Sequence, residues 1–350
     1  MAQAKITNLS EFLRHSGAKY RVFDLGRRVT KIPATLFEQI ENAEKPYPLP
    51  FQRTALFGII FWQPKAANQH YVWFLRMPLD EQGLLLQSAR DEFLVMVLER
   101  VGESMLAAAD GHKVQSALKD SPYTFTPRED KMAAFNAQAT CQLKLPPSQY
   151  YQNASQYFTG QQHKDNWQQL AMQGVADFAI RLNDAASALK VAHYLPELPA
   201  VPLQTFSQFL ENAEPPAVLA EALENCLTIE LSLAQPDSAK VIAYLRGASN
   251  TPAQGLLNDM VEQTLNHDCS RDIEVLAVLG GRCWQTLKQP QLANLFCEQL
   301  AQNNAGQAAF SQLLADLLFI PDMREPMMQA LRSPQRSAAL SAAVGEMFGR

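Results

Sequence analysis

The sequence predicts an α+β N-terminal domain, a small antiparallel sheet with covering helices, followed by an all-α helical-repeat domain of the HEAT-like α-solenoid kind. Three observations carry this expectation. Strand-like and helix-like patterns alternate before residue 145, whereas only the three- and four-residue spacing of helices follows residue 164. Charge divides at the same place: residues 1–150 carry 18 Lys+Arg against 15 Asp+Glu, and residues 151–350 carry 12 against 20. Helix starts in the second part recur at Pro202, Asp237, Ser270, Gly306 and Pro334, in steps of 35, 33, 36 and 28 residues. Helix pairs repeating every ~34–40 residues are the footprint of stacked helical repeats.

Taken in order, Asn8-Leu9-Ser10-Glu11 reads as a capping box opening a short helix that Gly17 closes. Tyr20 to Leu25 reads as a strand and Arg28 to Ile32 as its return, with Gly26-Arg27 as a two-residue type II′ turn. Pro33 to Glu44 is helical, with Leu36, Phe37 and Ile40 on one face, and the Pro-alternating stretch 45–50 is extended. Thr54–Trp62 and His70–Met77 are two apolar aromatic strands, completing a sheet of four strands. A covering helix starts near Ser88 and Asp91 and carries Phe93, Leu94, Val97, Leu98, Val101 and Met105 at helical period. Thr126-Pro127-Arg128-Glu129 combines an N-cap, a proline at the first helical position and an acidic first turn.

The domain boundary falls in an uncharged stretch. From Leu145 to His163 no Lys, Arg, Asp or Glu occurs, and Pro146-Pro147 cannot continue a helix. The expected organisation is therefore 1–145, a Gln/Tyr-rich join at 146–163, and 164–350. The aromatics Tyr150, Tyr151, Tyr157 and Phe158 predict that part of this join docks. In the second domain the glycine pair Gly280-Gly281 is expected to break or kink its helix or to permit close helix packing.

Composition excludes several functions. The longest apolar run, Ala55 to Trp62, has eight residues, against about 20 for a membrane-spanning helix. Lys5, Glu11, Arg14 and Lys19 interrupt the first twenty residues, so no secretory signal is read there and a cytoplasmic location is expected. The five cysteines are odd in number and contain no C-x-x-C pair, and the six histidines lie far apart. Neither a disulfide framework nor a preassembled metal site is expected, and no cofactor-binding fingerprint occurs.

Arg27 and Arg28 are the most pointed local feature. At the tip of a hairpin two guanidinium groups would meet a phosphate or carboxylate. Arg53 and Arg76 flank the two aromatic strands, near Trp62 and Trp73, and the four arginines are the candidate anion- or partner-binding residues. The competing structural reading puts both tryptophans in the core and pairs Asp24 with an arginine. Asp80-Glu81 and Asp91-Glu92 read as helix N-terminal charge compensation rather than paired catalytic acids. His193 reads as a partly buried residue near a helix end.

The segments Tyr20-Arg21-Val22-Phe23-Asp24-Leu25-Gly26-Arg27-Arg28-Val29, Pro46-Tyr47-Pro48, Trp73-Phe74-Leu75 followed by Pro78-Leu79-Asp80-Glu81, and Pro122 to Pro127 resemble an uncharacterised gammaproteobacterial family known only as a domain of unknown function. The resemblance spans most of the chain and implies a bacterial, cytoplasmic protein. It brings no activity, cofactor or catalytic residue. The functional expectation is a non-enzymatic interaction or scaffold protein with a macromolecular partner, most simply another protein. One alternative is an RNA-associated factor using an Arg/aromatic face of the first domain. The other is an enzyme with a site assembled between the two domains.

Overall fold

The computed structural model describes residues 6–64, 70–101, 118 and 121–349. The chain divides into two compact units, Met1–Phe135 with Phe319–Pro321, and Asn136–Leu318 with Asp322–Arg350. Met105, expected on the covering helix, lies outside the described residues.

The first unit begins with α1 (Leu9–His15), where the Asn8 side chain accepts a 2.8 Å hydrogen bond from the Glu11 N–H, as the capping pattern predicts. Strands β1 (Lys19–Asp24) and β2 (Thr30–Ile32) follow, then α2 (Ala34–Glu41), β3 (Thr54–Trp62), β4 (His70–Pro78) and α3 (Gln87–Val101). All pairings are antiparallel, in the order β2-β1-β3-β4. The expected two-residue turn at Gly26-Arg27 is replaced by a five-residue connection, 25–29, because buried Leu25 and Val29 draw it into the core.

Strand alternation gives the sheet two different faces. On one, Val22, Phe57, Ile59, Phe61 and Trp73 form a buried cluster with Phe12, Phe37, Ile40 and Phe93 from the helices. On the other, Phe23, Gly58 and Phe74 stand side by side across three strands. Phe135 of α4 (Glu129–Gln142) packs edge-on against Phe23 and Phe74, at 5.4 and 5.1 Å between centroids. Only glycine fits between them: a Cβ on residue 58 would stand 2.7 Å from Phe135 Cε2 and 2.6 Å from Leu25 Cδ1.

The described elements of the second unit are helical. Segment 146–163 contains α5 (Tyr151–Phe158), which buries Tyr157 and Phe158, so the uncharged stretch is largely packed helix. Its polar side chains bond to one another: Gln162 donates to Asn153 Oδ1 at 2.8 Å and to Gln156 Oε1 at 3.2 Å. Then come α6 (Met172–Ile180), α7 (Ala185–Tyr194), α8 (Ala200–Leu210), α9 (Ala217–Leu231), α10 (Ser238–Ala248), α11 (Gln254–Leu265), α12 (Ile273–Arg282), α13 (Pro290–Ala301), α14 (Gln307–Phe319), α15 (Arg324–Leu331) and α16 (Ala338–Phe348). Helices pack on their next-but-one neighbours: α6, α8, α10 and α12 form one row, and α7, α9, α11 and α13 another. Asp237 and Ser337 cap α10 and α16 as side-chain acceptors. Gly280-Gly281 does not break α12, which runs on to Arg282; Gly280 instead admits the Phe296 ring, whose Cζ would lie 3.2 Å from an added Cβ. None of the described helices is long and apolar enough to cross a membrane.

Two glycines separate packing from propensity. Gly58→Ala forces Phe135 and Leu25 apart and lowers stability by about 1–3 kcal/mol. Gly281→Ala, at a helical site with open space around it, raises stability by up to about 1 kcal/mol. Urea unfolding of each variant checks both signs, and a neutral Gly58→Ala would contradict the close approach.

Candidate functional site

A carboxylate at the end of a buried strand must find partners within the fold. Asp24 ends β1 with only 1% of its surface exposed. Its Oδ1 accepts the Gly26 N–H at 2.8 Å, and its Oδ2 accepts the hydroxyl of fully buried Tyr47. Tyr47 arrives on the extended stretch 45–50, where its own N–H donates to the Gly83 carbonyl at 2.8 Å. Arg27 Nε donates to the Pro50 carbonyl at 2.9 Å, and Lys131 Nζ of α4 to the Arg27 carbonyl at 3.3 Å. Burial raises the Asp24 carboxyl to about 7, against the pull of the Tyr47 hydroxyl, Lys131 and Arg27. Burial and the Asp24 charge push the Tyr47 phenol well above its ordinary value.

This cluster corrects the placement expected for the arginines. Arg27 and Arg28 are 2% and 4% exposed, packed inside the 25–29 connection rather than displayed at a tip. Arg53 is exposed; its backbone adopts φ +59°, its carbonyl accepts the Leu79 N–H at 3.1 Å, and its guanidinium lies 5.4 Å from the Phe319 ring. Arg76 is exposed on β4, with its N–H donating to the Tyr123 carbonyl at 2.7 Å. All four lie toward the Asp24 end of the sheet, where Asp24 pairs with Phe57 and Arg76 with Leu56. Two of the four are thus withdrawn from the surface.

The remaining candidates resolve into local structure. Asp80 Oδ1 accepts the Gln82 and Leu84 N–H groups at 2.8 and 2.9 Å, closing a turn, while Asp91 pairs with Arg90 and Glu92 accepts the Tyr123 hydroxyl at 2.6 Å. His193 is exposed in the last turn of α7, rather than partly buried. The five cysteines are free thiols, and among the described residues no group of three or more His, Cys, Asp or Glu is placed to hold a metal ion. A second buried carboxylate, Glu41 of α2, accepts the Leu9 and Ser10 N–H groups at 2.5 and 3.2 Å and the Ser10 hydroxyl, and so fastens the start of α1. Burial raises it to about 7.

The opposite end of the sheet carries a feature that the sequence reading passed over. Register places Lys19, Trp62 and His70 in one cross-strand row, and Arg21, Ile60 and Val72 in the next. Lys31 sits opposite Phe23 on the same face. Lys19, Lys31 and His70 are exposed, and Arg21 and Trp62 half-buried. The Arg21 guanidinium lies 5.6 Å from the Trp62 ring centroid and donates to the Tyr20 carbonyl at 2.9 Å. A groove of about 260 Å³ runs beside Arg21, Lys31 and Pro33, and one of about 510 Å³ beside Val72, Phe74 and Thr126. The signal was present in the period-two pattern Lys19-x-Arg21-x-Phe23, which sets both cations on one face.

The raised Asp24 and Glu41 carboxyls fix a pH dependence. Between about pH 5 and 7 the folded chain holds protons on them that the unfolded chain, whose carboxyls have the ordinary values of 3.8 and 4.5, has already released. Stability conferred by these groups is therefore greatest at acidic pH and is lost as pH rises through about 7. Urea midpoints should fall between about pH 5 and 8, and Asp24→Asn should flatten that fall; a midpoint rising over this interval would contradict the burial of both groups.

A protein-family model described as "Protein of unknown function (DUF3549)" matches residues 4–348. No curated protein matches the chain, and no solved structure does.

Proposed function

The chain belongs to the DUF3549 family of proteins of unknown function, and we propose that it is a macromolecular-interaction protein whose second unit is a HEAT-like stack of helix pairs binding another protein. The observation that carries this reading is a series of side-chain contacts between residues 34 to 36 apart in the chain. Glu211, at the end of α8, accepts from Arg246 of α10 and from Arg282 at the end of α12; Arg246 Nη2 stands at 3.0 Å and Arg282 Nε at 2.8 Å. The same separation recurs elsewhere: Thr228 to Gln263 at 2.8 Å, Gln299 to the Leu265 carbonyl at 3.0 Å, and Gln307 to the Ala343 carbonyl at 2.9 Å are 35, 34 and 36 residues apart. Contacts at constant sequence distance arise when each helix pair stacks on the next in the same way.

Stacked repeats present long continuous surfaces, and their common use is in binding, a fold-level argument. Ile229 in the last turn of α9 and Leu233 just beyond its end are 63% and 49% exposed, apolar side chains of the kind partners cover. Cross-linking of the tagged full chain in its native cell, followed by mass spectrometry, tests the reading. Cross-links to one protein concentrated within 172–348 are expected; a chain recovered without protein cross-links overturns it.

The Glu211 contacts are also testable. Glu211 is 1% exposed beside two arginines about one-fifth exposed. Glu211→Ala leaves two cations facing one another and should destabilise the second unit by about 3 kcal/mol. A change below about 0.5 kcal/mol in urea unfolding, the range of ordinary surface substitutions, would show that the helices do not depend on it.

A further inference from the structure

We propose that the Lys19–Arg21–Trp62 end of the sheet in the first unit is a platform for a nucleic-acid single strand. The inference goes beyond the scaffold reading, since it concerns the other unit, and its failure leaves that reading intact. Three features point to this occupant. The two cross-strand rows and Lys31 contain cations and apolar groups but no carboxylate, so the face is complementary to a polyanion. An aromatic ring stands within the same patch, half-buried, with a guanidinium lying 5.6 Å from its centroid. Bases stack on aromatic rings and on arginine planes alike, whereas an acidic protein surface gains nothing from a stacking partner. Finally, grooves lie at the two ends of the Arg21–Ile60–Val72 row, one bordered by Arg21 and Lys31 and the other by Val72 and Phe74, which gives an extended chain a path beside the patch.

The division of labour follows from chemistry. Arg21 and the two lysines take phosphates, and Trp62 with Arg21 takes a base. Phosphates and base rings are common to both sugars, so ribose and deoxyribose strands are expected to bind alike. A duplex, whose bases are already stacked, meets only the cations.

The test is fluorescence anisotropy of a labelled fifteen-nucleotide oligouridine titrated with the full chain at 50 and 200 mM salt, with an oligothymidine, duplex RNA and polyglutamate as comparisons. Both single strands should bind within about threefold of each other, and duplex and polyglutamate at least about tenfold more weakly. Arg21→Gln with Lys31→Gln should weaken binding about tenfold and make the log–log salt plot shallower by about 1.4, the loss of two single-strand phosphate contacts. Trp62→Leu should weaken it by a similar factor with the salt slope unchanged, and Trp62→Phe should restore it. Should Trp62→Leu fail to fold, the pair Arg21→Gln with Lys31→Gln decides. No binding at 50 mM salt overturns the proposal. So does equal binding of polyglutamate, which would make the patch a contact for acidic proteins, and so does affinity unmoved by the cation pair.

Discussion

The burial of one carboxylate organises the first unit. Asp24 is desolvated at the end of a central strand, where an unpaired charge would cost several kcal/mol. Its partners come from near and far in the chain: the Gly26 N–H two residues on, the hydroxyl of Tyr47 on the proline-rich stretch, and the charge of Lys131 on α4. Satisfying it ties the stretch 45–50, the 25–29 connection and α4 to the same strand end. Glu41 does the equivalent work at the start of α1, accepting backbone N–H groups that a side chain within the helix would otherwise have to cap. The rigid parts of this unit are thus fastened by buried carboxylates, and the opposite end of the sheet is left with cations and a tryptophan.

The strands and helices of the fold were legible because their signals are local. Apolar, aromatic-rich runs marked β3 and β4, and Asp237 and Pro290 marked the starts of α10 and α13 within a residue. The arginine site was not legible, since a turn motif says what the backbone can do and nothing about whether the turn is buried. Arg27 and Arg28 fit a hairpin tip by sequence, but Leu25 and Val29 on either side are core residues and pull the arginines inward. The uncharged stretch 145–163 had two readings, and its aromatics favoured docking. Absence of charge marks a linker when the chain is solvated and a buried element when it is not; here α5 inserts Tyr157 and Phe158 into the second unit. The cationic row on β1, by contrast, was visible in a three-residue alternation and needed only the pairing register of β3 and β4 to join it to Trp62 and His70.

The second unit distributes its stability differently. Its helices pack mainly against their near neighbours in sequence, and polar side chains meet carbonyls, amides and one shared carboxylate 34 or 35 residues away in the chain. Such an arrangement carries little long-range contact information, so the order of the helices is enough to specify it.

The division between the two units falls between Phe135 and Asn136, in the middle of an unbroken helix. The ring that fills the gap over Gly58 is therefore supplied by the last residue of the first unit, on a helix whose second half belongs to the other. A gene fragment cut at the prolines before this helix would encode every strand and still lack its plug, leaving Phe23, Gly58 and Phe74 as a bare aromatic trough. The smallest piece of this protein that keeps both sheet faces dry must run into the helix, past residue 135, and so cannot be trimmed at the point where the strands end.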